Sequence, residues 1–281
     1  CQEISEVALP LSLERIESEA FCGNNLTSIK IPQNVYSIAG DAFCGNSITT
    51  VSVDAGNHTY ESPEGGNAIV EKATKTLVAG FSTTIIPEDV VAIGEYAFYW
   101  SGITSVRIPK NVSSIASNAF LLNSITSITV DSGNLTYESL EGSNAIVEKA
   151  TKTLILGCST TVIPKDVVAI GDKAFYTSIG LEQISIPSSI TSIGAEAFKF
   201  SELTNIELPS SIRNIGKEAF YDCLSLVAVY SHVTQPFTPN GAFDNWCYRA
   251  TLYVPEGTKA KYESTEGWNR FQAIVEGHPT F

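Results

Sequence analysis

The amino-acid sequence repeats with a period of about 22 residues, and this repeat constrains the fold more than any other feature. In the unit from Pro87 to Pro109, apolar residues keep offsets that fit neither one helical stripe nor one long alternation, so the chain turns several times within it. These residues are Val90, Ile93, Ala97, Phe98, Ile103, Val106 and Ile108. Other units open at Pro10, Pro32, Pro164, Pro187 and Pro209. Units of this kind bury a shared core by stacking, so the repeat predicts a solenoid.

Each unit contains a strand and a return path. Residues 103–109, ITSVRIP, space their aliphatic side chains alternately, which predicts a strand that the closing proline ends. A second short extended piece, VVAIG in residues 90–94, precedes an Ala-Phe pair that we expect to form a single helical turn. Parallel strands one coil apart need a connection of a dozen or more residues, and the rest of each unit supplies it. The pattern predicts the α/β class, with a parallel sheet along one face of a β-rich solenoid.

Two coils, at 54–86 and 131–163, are 33 residues long. Asp54 and Asp131 replace their opening prolines, and Tyr60 and Tyr137 replace a core isoleucine. The added residues carry the segment NAIVEKATKTL, within 67–80 and 144–157. Two short alternating runs around Ala-Thr-Lys predict a β-hairpin in each long coil, at the place where other units have Ala-Phe.

The ends depart from the regular coil. We predict a solenoid over residues 1–230, and a degenerate coil with a C-terminal cap over 231–281, because an open solenoid end exposes its core. The final segment predicts a strand ending at Pro255 and a helix beginning at Thr258. Cys1 keeps the offset of a repeat cysteine, which favours an ordinary position in a longer chain. A lipid-modified N-terminal cysteine, which would anchor the protein to a membrane, is the alternative.

The six cysteines show neither a C-x-x-C pair nor the histidine spacing of a zinc site. Cys22 and Cys44 share one offset in consecutive units. Adjacent strands lie about 4.8 Å apart, a separation that a disulfide tolerates. Two free thiols that pack as small apolar groups are the favoured interpretation, and a bridge is the alternative.

Charge and polar motifs exclude several classes of function. The net charge of -13 disfavours nucleic acid and anionic membranes as partners, and no apolar run is long enough to span a bilayer. His58, His232 and His278 lie in irregular or terminal segments, which favours solvated loop histidines over a catalytic triad. The segment from Asp54 to Asn57 lacks the dense carboxylates of a calcium loop and predicts a turn that caps its own backbone. We therefore predict no catalytic residue, no metal and no cofactor.

Three motifs together resemble the BspA-type leucine-rich repeat proteins of Bacteroides-like bacteria. They are the unit IPxxVxxIGxxAFxxxxLTSVxIP, the interposed NAIVEKATKTLxxGxSTTxIP and the closing ATLYVPEGTKAKYESTEGW, and they cover nearly the whole chain. The resemblance implies a right-handed leucine-rich repeat solenoid that is secreted or lies at the cell surface, associated with the outer membrane. Some members of that family bind host matrix proteins or mediate adhesion. The family supplies no shared catalytic or ligand-binding residues.

The best candidate for a protein-binding face is the set of side chains that alternate with the inward aliphatics. It is mostly small and hydroxylic, so simple solvation of the sheet is the alternative interpretation. Its members are Ser28, Lys30, Thr50, Ser52, Ser105, Arg107, Ser127, Thr129, Gln183, Ser185, Asn205, Glu207 and Tyr230. A second candidate is the group of aromatic residues that follow the Ala-Phe corner, for which packing between neighbouring corners is favoured. These are Tyr99, Trp100, Tyr176 and Tyr221.

These features favour a non-enzymatic, adhesin-like surface protein that binds a host matrix or bacterial surface protein. A structural spacer for another domain of a longer chain is one alternative, and a carbohydrate-binding surface protein is another. The sequence does not predict an oligomeric state.

Overall fold

A computed structural model describes residues 3–277 of the chain, so Cys1 and His278 lie outside the described residues. The chain divides into two compact units, residues 1–137 and 138–281, and each is a stack of short-stranded coils. The predicted boundary at residues 230 and 231 stays a prediction.

The strands of unit 1 form two columns. The first contains four-residue strands that pair in parallel 22 residues apart, as Ser28 does with Thr50. The second contains two-residue strands with the same spacing, as in the pairing of Arg15 with Ser37. In chain order the strands are β1 (Arg15–Ile16), β2 (Ser28–Ile31), β3 (Ser37–Ile38), β4 (Thr50–Val53), β5 (Tyr60–Glu61), β6 (Ala68–Glu71), β7 (Thr76–Gly80), β8 (Ala92–Ile93), β9 (Ser105–Ile108), β10 (Ser114–Ile115) and β11 (Ser127–Val130). Strand β12 (Tyr137–Glu138) spans the division between the units.

The elements of unit 2 follow the same plan. They are β13 (Ile146–Glu148), β14 (Thr153–Leu156), β15 (Ala169–Ile170), β16 (Ser192–Ile193), β17 (Asn205–Leu208), β18 (Asn214–Ile215), β19 (Ala228–Ser231), β20 (Thr251–Val254), the helix α1 (Lys259–Ser264) and β21 (Ala273–Glu276). Single 3₁₀ turns occupy Cys247–Arg249 and Trp268–Arg270. Within residues 3–277, α1 is the only α-helix, so the fold is a β-rich repeat solenoid with parallel sheets and few helices.

Both predicted hairpins are confirmed. Strands β6 and β7 pair antiparallel, as do β13 and β14. The second strand of each hairpin then pairs in parallel with the next two-residue strand, so Leu77 lies opposite Ile93 and Leu154 opposite Ile170. The hairpins therefore extend the second column of strands.

The parallel sheet predicted along one face is divided into separate sheets. In unit 1, β2 pairs with β4 and β9 pairs with β11 as two separate sheets, and residues 82–86 form no strand. The backbone N–H of Ile85 donates instead to the carbonyl oxygen of Gly66, at the base of the hairpin, over 3.1 Å. In unit 2, Val162 makes the equivalent bond to Ser143 over 3.0 Å. Each hairpin thus draws the following segment away from the sheet.

The predicted strand in the segment 181–187 is also absent from the structure. An extra residue lengthens this coil, and Gly180 adopts a φ of +77° in a turn just before the segment. The N–H of Glu182 bonds back to the carbonyl of Gly180 over 3.1 Å, so it is unavailable to a neighbouring strand. Gln183 and Ser185 remain exposed but do not stand on a strand.

The Ala-Phe corners are not helical turns, which corrects the prediction. Tyr96 and Trp100 flank one corner with φ values of +57° and +47°, in the left-handed region. The corner N–H groups point to the next coil: Phe98 donates to Ala119 over 2.8 Å, and Trp100 donates to Leu121 over 3.0 Å. The corners therefore join coils through a third ladder of backbone hydrogen bonds.

The interior is aliphatic and aromatic, and all seven apolar residues predicted from the unit Pro87–Pro109 are at most 4% exposed. In unit 2, the corner phenylalanines Phe175, Phe198, Phe220 and Phe243 stack with centroid spacings of 5.0, 5.4 and 5.0 Å. The stack begins on a hairpin, because a Cβ placed on Gly157 would lie 2.2 Å from the Phe175 ring. Glycine is therefore required at the end of the hairpin by close packing.

The C-terminal segment keeps the repeat spacing although it loses the repeat motif. Strand β20 pairs in parallel with β19, and β21 with β20, so Thr251 lies opposite both Ala228 and Ala273. The strand that ends before Pro255 is confirmed, and α1 begins immediately after its N-cap Thr258. Handedness and the capping role of this segment stay predictions.

Cys22 and Cys44 form a disulfide with a Cα–Cα distance of 4.6 Å, so the favoured interpretation as two free thiols is wrong. The corners of consecutive coils approach closely because the N–H of Phe21, the residue before Cys22, donates to the carbonyl of Ala42, two residues before Cys44, over 2.8 Å. Cys158, Cys223 and Cys247 are buried free thiols.

Candidate binding face

The outward side chains of unit 1 form short exposed ladders. They alternate with Ile29, Ile31, Val106 and Ile108, which are at most 4% exposed. The exposed pairs across neighbouring strands are Ser28 with Thr50, Lys30 with Ser52, Ser105 with Ser127, and Arg107 with Thr129. The structure therefore places eight of the predicted residues outward and in register, in two separate sheets.

The two cations of these ladders differ in their surroundings. Arg107 makes ion pairs with Glu88 at 2.8 Å and with Asp131 at 2.7 Å. The hydrogen bond to Glu88, together with Asp131, raises the pKa of Arg107 above its ordinary value. Within the described part of the chain, Lys30 is exposed and makes no ion pair.

In unit 2 the outward positions are more varied. Glu207 on β17 lies opposite Tyr230 on β19, and the half-buried Asn205 lies opposite Ala228. His232 was expected to be a solvated loop residue, but it is partly buried and its Nε2 lies 2.6 Å from Glu207 Oε1. A carboxylate on the outward face thus holds this histidine, whereas His58 is exposed.

The sequence analysis missed Tyr253, which continues the outward column on β20. Its ring stacks on that of Tyr230 with a centroid distance of 4.9 Å and an interplanar angle of 14°. Burial, with smaller contributions from Tyr253 and Glu207, raises the pKa of Tyr230. The signal was present, because Tyr253 follows Tyr230 by one repeat period through a segment in which the motif itself is lost.

The aromatic residues after the corners separate into two arrangements. In unit 2, Tyr176, Phe200 and Tyr221 form an edge-to-face ladder with centroid distances of 5.5 and 6.3 Å. Lys199 Nζ lies over the rings of Phe200 and Tyr221, which confirms packing between corners at these positions. In unit 1, the ring of Tyr99 packs edge to face on that of Tyr96, and burial raises the pKa of Tyr99. Trp100, by contrast, is 50% exposed.

Asn57 and Asn134 are structural residues. The Oδ1 of Asn57 accepts the N–H groups of Thr59 and Tyr60, which confirms the predicted self-capping turn. Its Nδ2 also donates to the carbonyl oxygens of Pro32 and Val35 in the preceding coil. No group of three or more metal-ligating side chains is found in residues 3–277. The described helices include none with the length and hydrophobicity of a membrane span.

The repeat geometry and the sequence assign the chain to a family. The model of the BspA type leucine rich repeat region matches residues 1–63, 76–141 and 155–264 in six copies. The chain therefore belongs to the BspA-type leucine-rich repeat family. No match is found among curated proteins.

Solved structures of bacterial leucine-rich repeat proteins share the fold. A leucine-rich repeat protein from Eubacterium ventriosum aligns with a TM-score of 0.63 and 17% identity, covering 97% of this chain and 72% of that one. A leucine rich cell surface protein from Faecalibacterium prausnitzii aligns with a TM-score of 0.56 and 22% identity, covering 99% and 87%. A leucine-rich repeat protein from Bacteroides ovatus aligns with a TM-score of 0.51 and 19% identity, covering 94% and 64%.

Proposed function

We propose that the protein is a non-enzymatic, adhesin-like binding protein, secreted or displayed at the bacterial cell surface. Its outward sheet side chains, from Ser28 to Tyr230, contact a protein ligand. The observation that carries this proposal is the register of the exposed ladders, in which small polar side chains repeat at a fixed spacing on a rigid scaffold. Repeats of this kind give extended binding surfaces, and the specificity lies in the side chains.

Two observations support an extracellular location. The Cys22–Cys44 disulfide is typical of proteins that fold in oxidising compartments. The similar protein from Faecalibacterium prausnitzii is described as a cell surface protein. In the producing cell, we expect a protease added outside to degrade the protein while cytoplasmic proteins stay intact. Protection of the protein until the envelope is opened would contradict surface display.

The ligand class follows from charge and from family. The chain carries a net charge of -13, so a protein partner with a basic surface is favoured by long-range attraction. Host extracellular-matrix proteins and surface proteins of other bacteria are the candidates that the family suggests. Purified full-length chain should bind at least one of these saturably, with an association rate that falls as salt rises. Absence of saturable binding across matrix proteins, host cells and bacteria would contradict the adhesin function.

A structural spacer is the second candidate, favoured by the ion pairs of Arg107. Glu88 and Asp131 neutralise the charge of Arg107 within the chain. Such a face is as compatible with simple solvation of the sheet as with recognition of a ligand. If the ladders only solvate the sheet, bulky substitutions on them will leave every measured interaction unchanged. Bulky substitutions on the ladders therefore distinguish a binding protein, which would lose affinity for its ligand, from a spacer, which would not.

The C-terminal segment serves as a cap, and the coils wind right-handed, in this proposal. The burial of Tyr262, Trp268 and Phe271 supports the cap. The ring centroid of Trp268 also lies 5.5 Å from that of Phe243, the last ring of the stack. The Trp268 indole N–H donates to the Phe237 carbonyl over 2.6 Å. A chain truncated after Ala250 should expose the stack and bind a hydrophobic dye, whereas unchanged dye binding would contradict the cap. We expect a crystal structure of the chain to show right-handed coils, and left-handed coils would contradict this part of the proposal.

A further inference from the structure

We propose that unit 1 carries a binding site for a neutral saccharide, centred on Trp100 and separate from the outward sheet ladders. The site is a surface depression of about 220 Å³. It is lined by Gly45, Asn46, Ser47, Ser82, Trp100, Ser101 and Gly102, none of which is charged. One water needs roughly 10–15 Å³ of such space, so the depression is large enough for a small ligand.

Trp100 forms the floor of the site as a flat aromatic platform. A Cβ placed on Gly45 would lie 2.8 to 3.1 Å from three atoms of the indole, so the ring rests directly on the Gly45 backbone. The residue is nevertheless 50% exposed, so much of its surface remains accessible to a ligand. Rings of this size contribute strongly to binding when they are rigid and one face is free.

Trp100 occupies a position at which seven coils adopt a left-handed backbone. The residue adopts a φ of +47°, a left-handed conformation that is costly for a bulky side chain. The equivalent places in six other coils, two residues after the corner phenylalanine, also have positive φ; they hold Gly23, Gly45, Leu122, Thr177, Phe200 and Asp222. Of the two aromatic residues at this place, Phe200 packs against Tyr176 and Tyr221, whereas Trp100 stays 50% exposed, which leaves its side chain available to a ligand.

Polar groups without a protein partner surround the platform. The Trp100 indole N–H and the hydroxyls of Ser47 and Ser82 make no hydrogen bond to the described part of the chain. By contrast, the Asn46 amide is used entirely by the fold, since it donates to Phe43 and accepts from Leu26. One free donor and two free hydroxyls beside an aromatic face suit a ligand with an apolar ring face and hydroxyl groups at its edge. The absence of charge in the lining favours a neutral sugar over an acidic one.

The internal duplication predicts a single site. The position 77 residues after Trp100 is Thr177, which keeps the left-handed backbone, with a φ of +51°, but has no aromatic ring. Trp246 is equally exposed, at 52%, yet the Arg249 guanidinium lies 4.0 Å from its ring centre and covers one face. We therefore expect one saccharide per chain, bound at Trp100.

The test uses the full chain and methyl glycosides of common neutral hexoses and N-acetylhexosamines, with sialic and glucuronic acid as anionic counterparts. Titrations follow tryptophan fluorescence or heat. At least one neutral glycoside should bind with a stoichiometry near one. Trp100→Gly should weaken it about tenfold or more, the loss expected for a hot-spot aromatic residue, while keeping or raising the melting temperature. Trp100→Phe should retain part of the affinity, and Trp246→Ala, the matched control, should retain all of it.

Three results would each overturn the proposal. The first is that no glycoside saturates the wild-type chain, and the second is that Trp100→Gly binds as well as wild type. The third is a preference for the acidic sugars. Because Trp100→Gly leaves the outward ladders intact, protein-ligand binding should persist in this variant, and failure of one proposal is distinguishable from failure of the other.

Discussion

The side-chain amide of Asn57 donates a hydrogen bond of 2.8 Å to the carbonyl oxygen of Pro32, which lies 25 residues earlier in the chain. The same relationship joins Asn134 to Pro109, also over 2.8 Å. Each asparagine is 1% exposed. It satisfies backbone groups in two consecutive coils at once, so it fixes the position at which each long coil leaves the regular repeat.

Replacing Asn57 by Asp should be strongly destabilising. The carboxylate cannot donate to the Pro32 and Val35 carbonyls and would be buried against two acceptors. We expect a loss of about 3 kcal/mol or more in the free energy of unfolding, measured by chemical denaturation. Asn34→Ala removes an exposed asparagine with a similar bond to Leu11 and should cost less than about 1 kcal/mol. Equal losses in the two variants would contradict the account of Asn57.

The disulfide should make stability depend on redox conditions. Closing a 22-residue separation between Cys22 and Cys44 stabilises the fold by about 3 kcal/mol in the chain-entropy model. Reductant, or the double variant with serine at both positions, should therefore lower the denaturation midpoint. Cys158→Ser should leave the difference between oxidised and reduced protein unchanged, because Cys158 is a free thiol. A midpoint that does not respond to reductant would exclude the bridge.

The ion pairs of Lys75, in the hairpin of unit 1, should raise the measured pKa of this lysine. Its Nζ lies 2.8 Å from Asp89 and 2.7 Å from Glu61, and the hydrogen bonds to Asp89 and then Glu61 raise the pKa of Lys75 to about 12. The stability that this lysine contributes is present below its ordinary pKa of 10.5 and is lost as pH rises through about 12. The pKa of Asp89 is lowered by Lys75, so its contribution is present above 3.8 and is lost as pH falls through the folded value.

Nuclear magnetic resonance of the lysine side chains measures this directly. In the double variant Glu61→Gln and Asp89→Asn, the pKa of Lys75 should return towards 10.5. The pairs are well exposed, so stability should change by less than about 1 kcal/mol. Lys152, which occupies the same place in the second hairpin, is the internal control and should keep its raised pKa. A Lys75 titration that is the same with and without its carboxylates would contradict the ion pairs.

Gly157→Ala should disrupt the start of the phenylalanine stack. The new methyl group would meet the Phe175 ring at 2.2 Å, so the ring or the hairpin must move. We expect a loss of about 1 to 3 kcal/mol, the usual cost of overpacking. Gly133→Ala is the matched control, because its Cβ would find Lys110 at an ordinary 3.7 Å. The interpretation of Gly157 fails if both variants unfold at the same denaturant concentration.

The buried positions and the hairpins could be predicted from the sequence, because the local pattern of apolar and turn-forming residues determines them. The offsets from Pro87 to Ile108 identified the buried positions, and the Ala-Thr-Lys runs identified the hairpins, because burial and turn formation depend on nearby residues. The break in the sheet could not be predicted. It depends on which acceptor the Ile85 N–H reaches, and hydropathy carries no information on that choice.

The candidate site was predicted to a similar extent. Alternation placed Ser28 and Lys30 outward, as the structure does, and the period alone could have identified Tyr253. Trp100 was named with Tyr176 and Tyr221 as one group. The structure separates it from them, since its ring lies against Gly45, a residue of another coil, and the residue stays 50% exposed.

The most direct test of the proposed function is a binding measurement with variants that obstruct the outward ladders. Ser52→Arg and Thr129→Arg together place two bulky cations on the ladders, while Ser117→Arg and Ser188→Arg make the same change of charge at exposed positions elsewhere. Surface plasmon resonance against the matrix or bacterial protein that binds the wild-type chain should show a loss of at least about tenfold for the first pair and none for the second. Equal affinity of both double variants and the wild type would contradict recognition through the outward face.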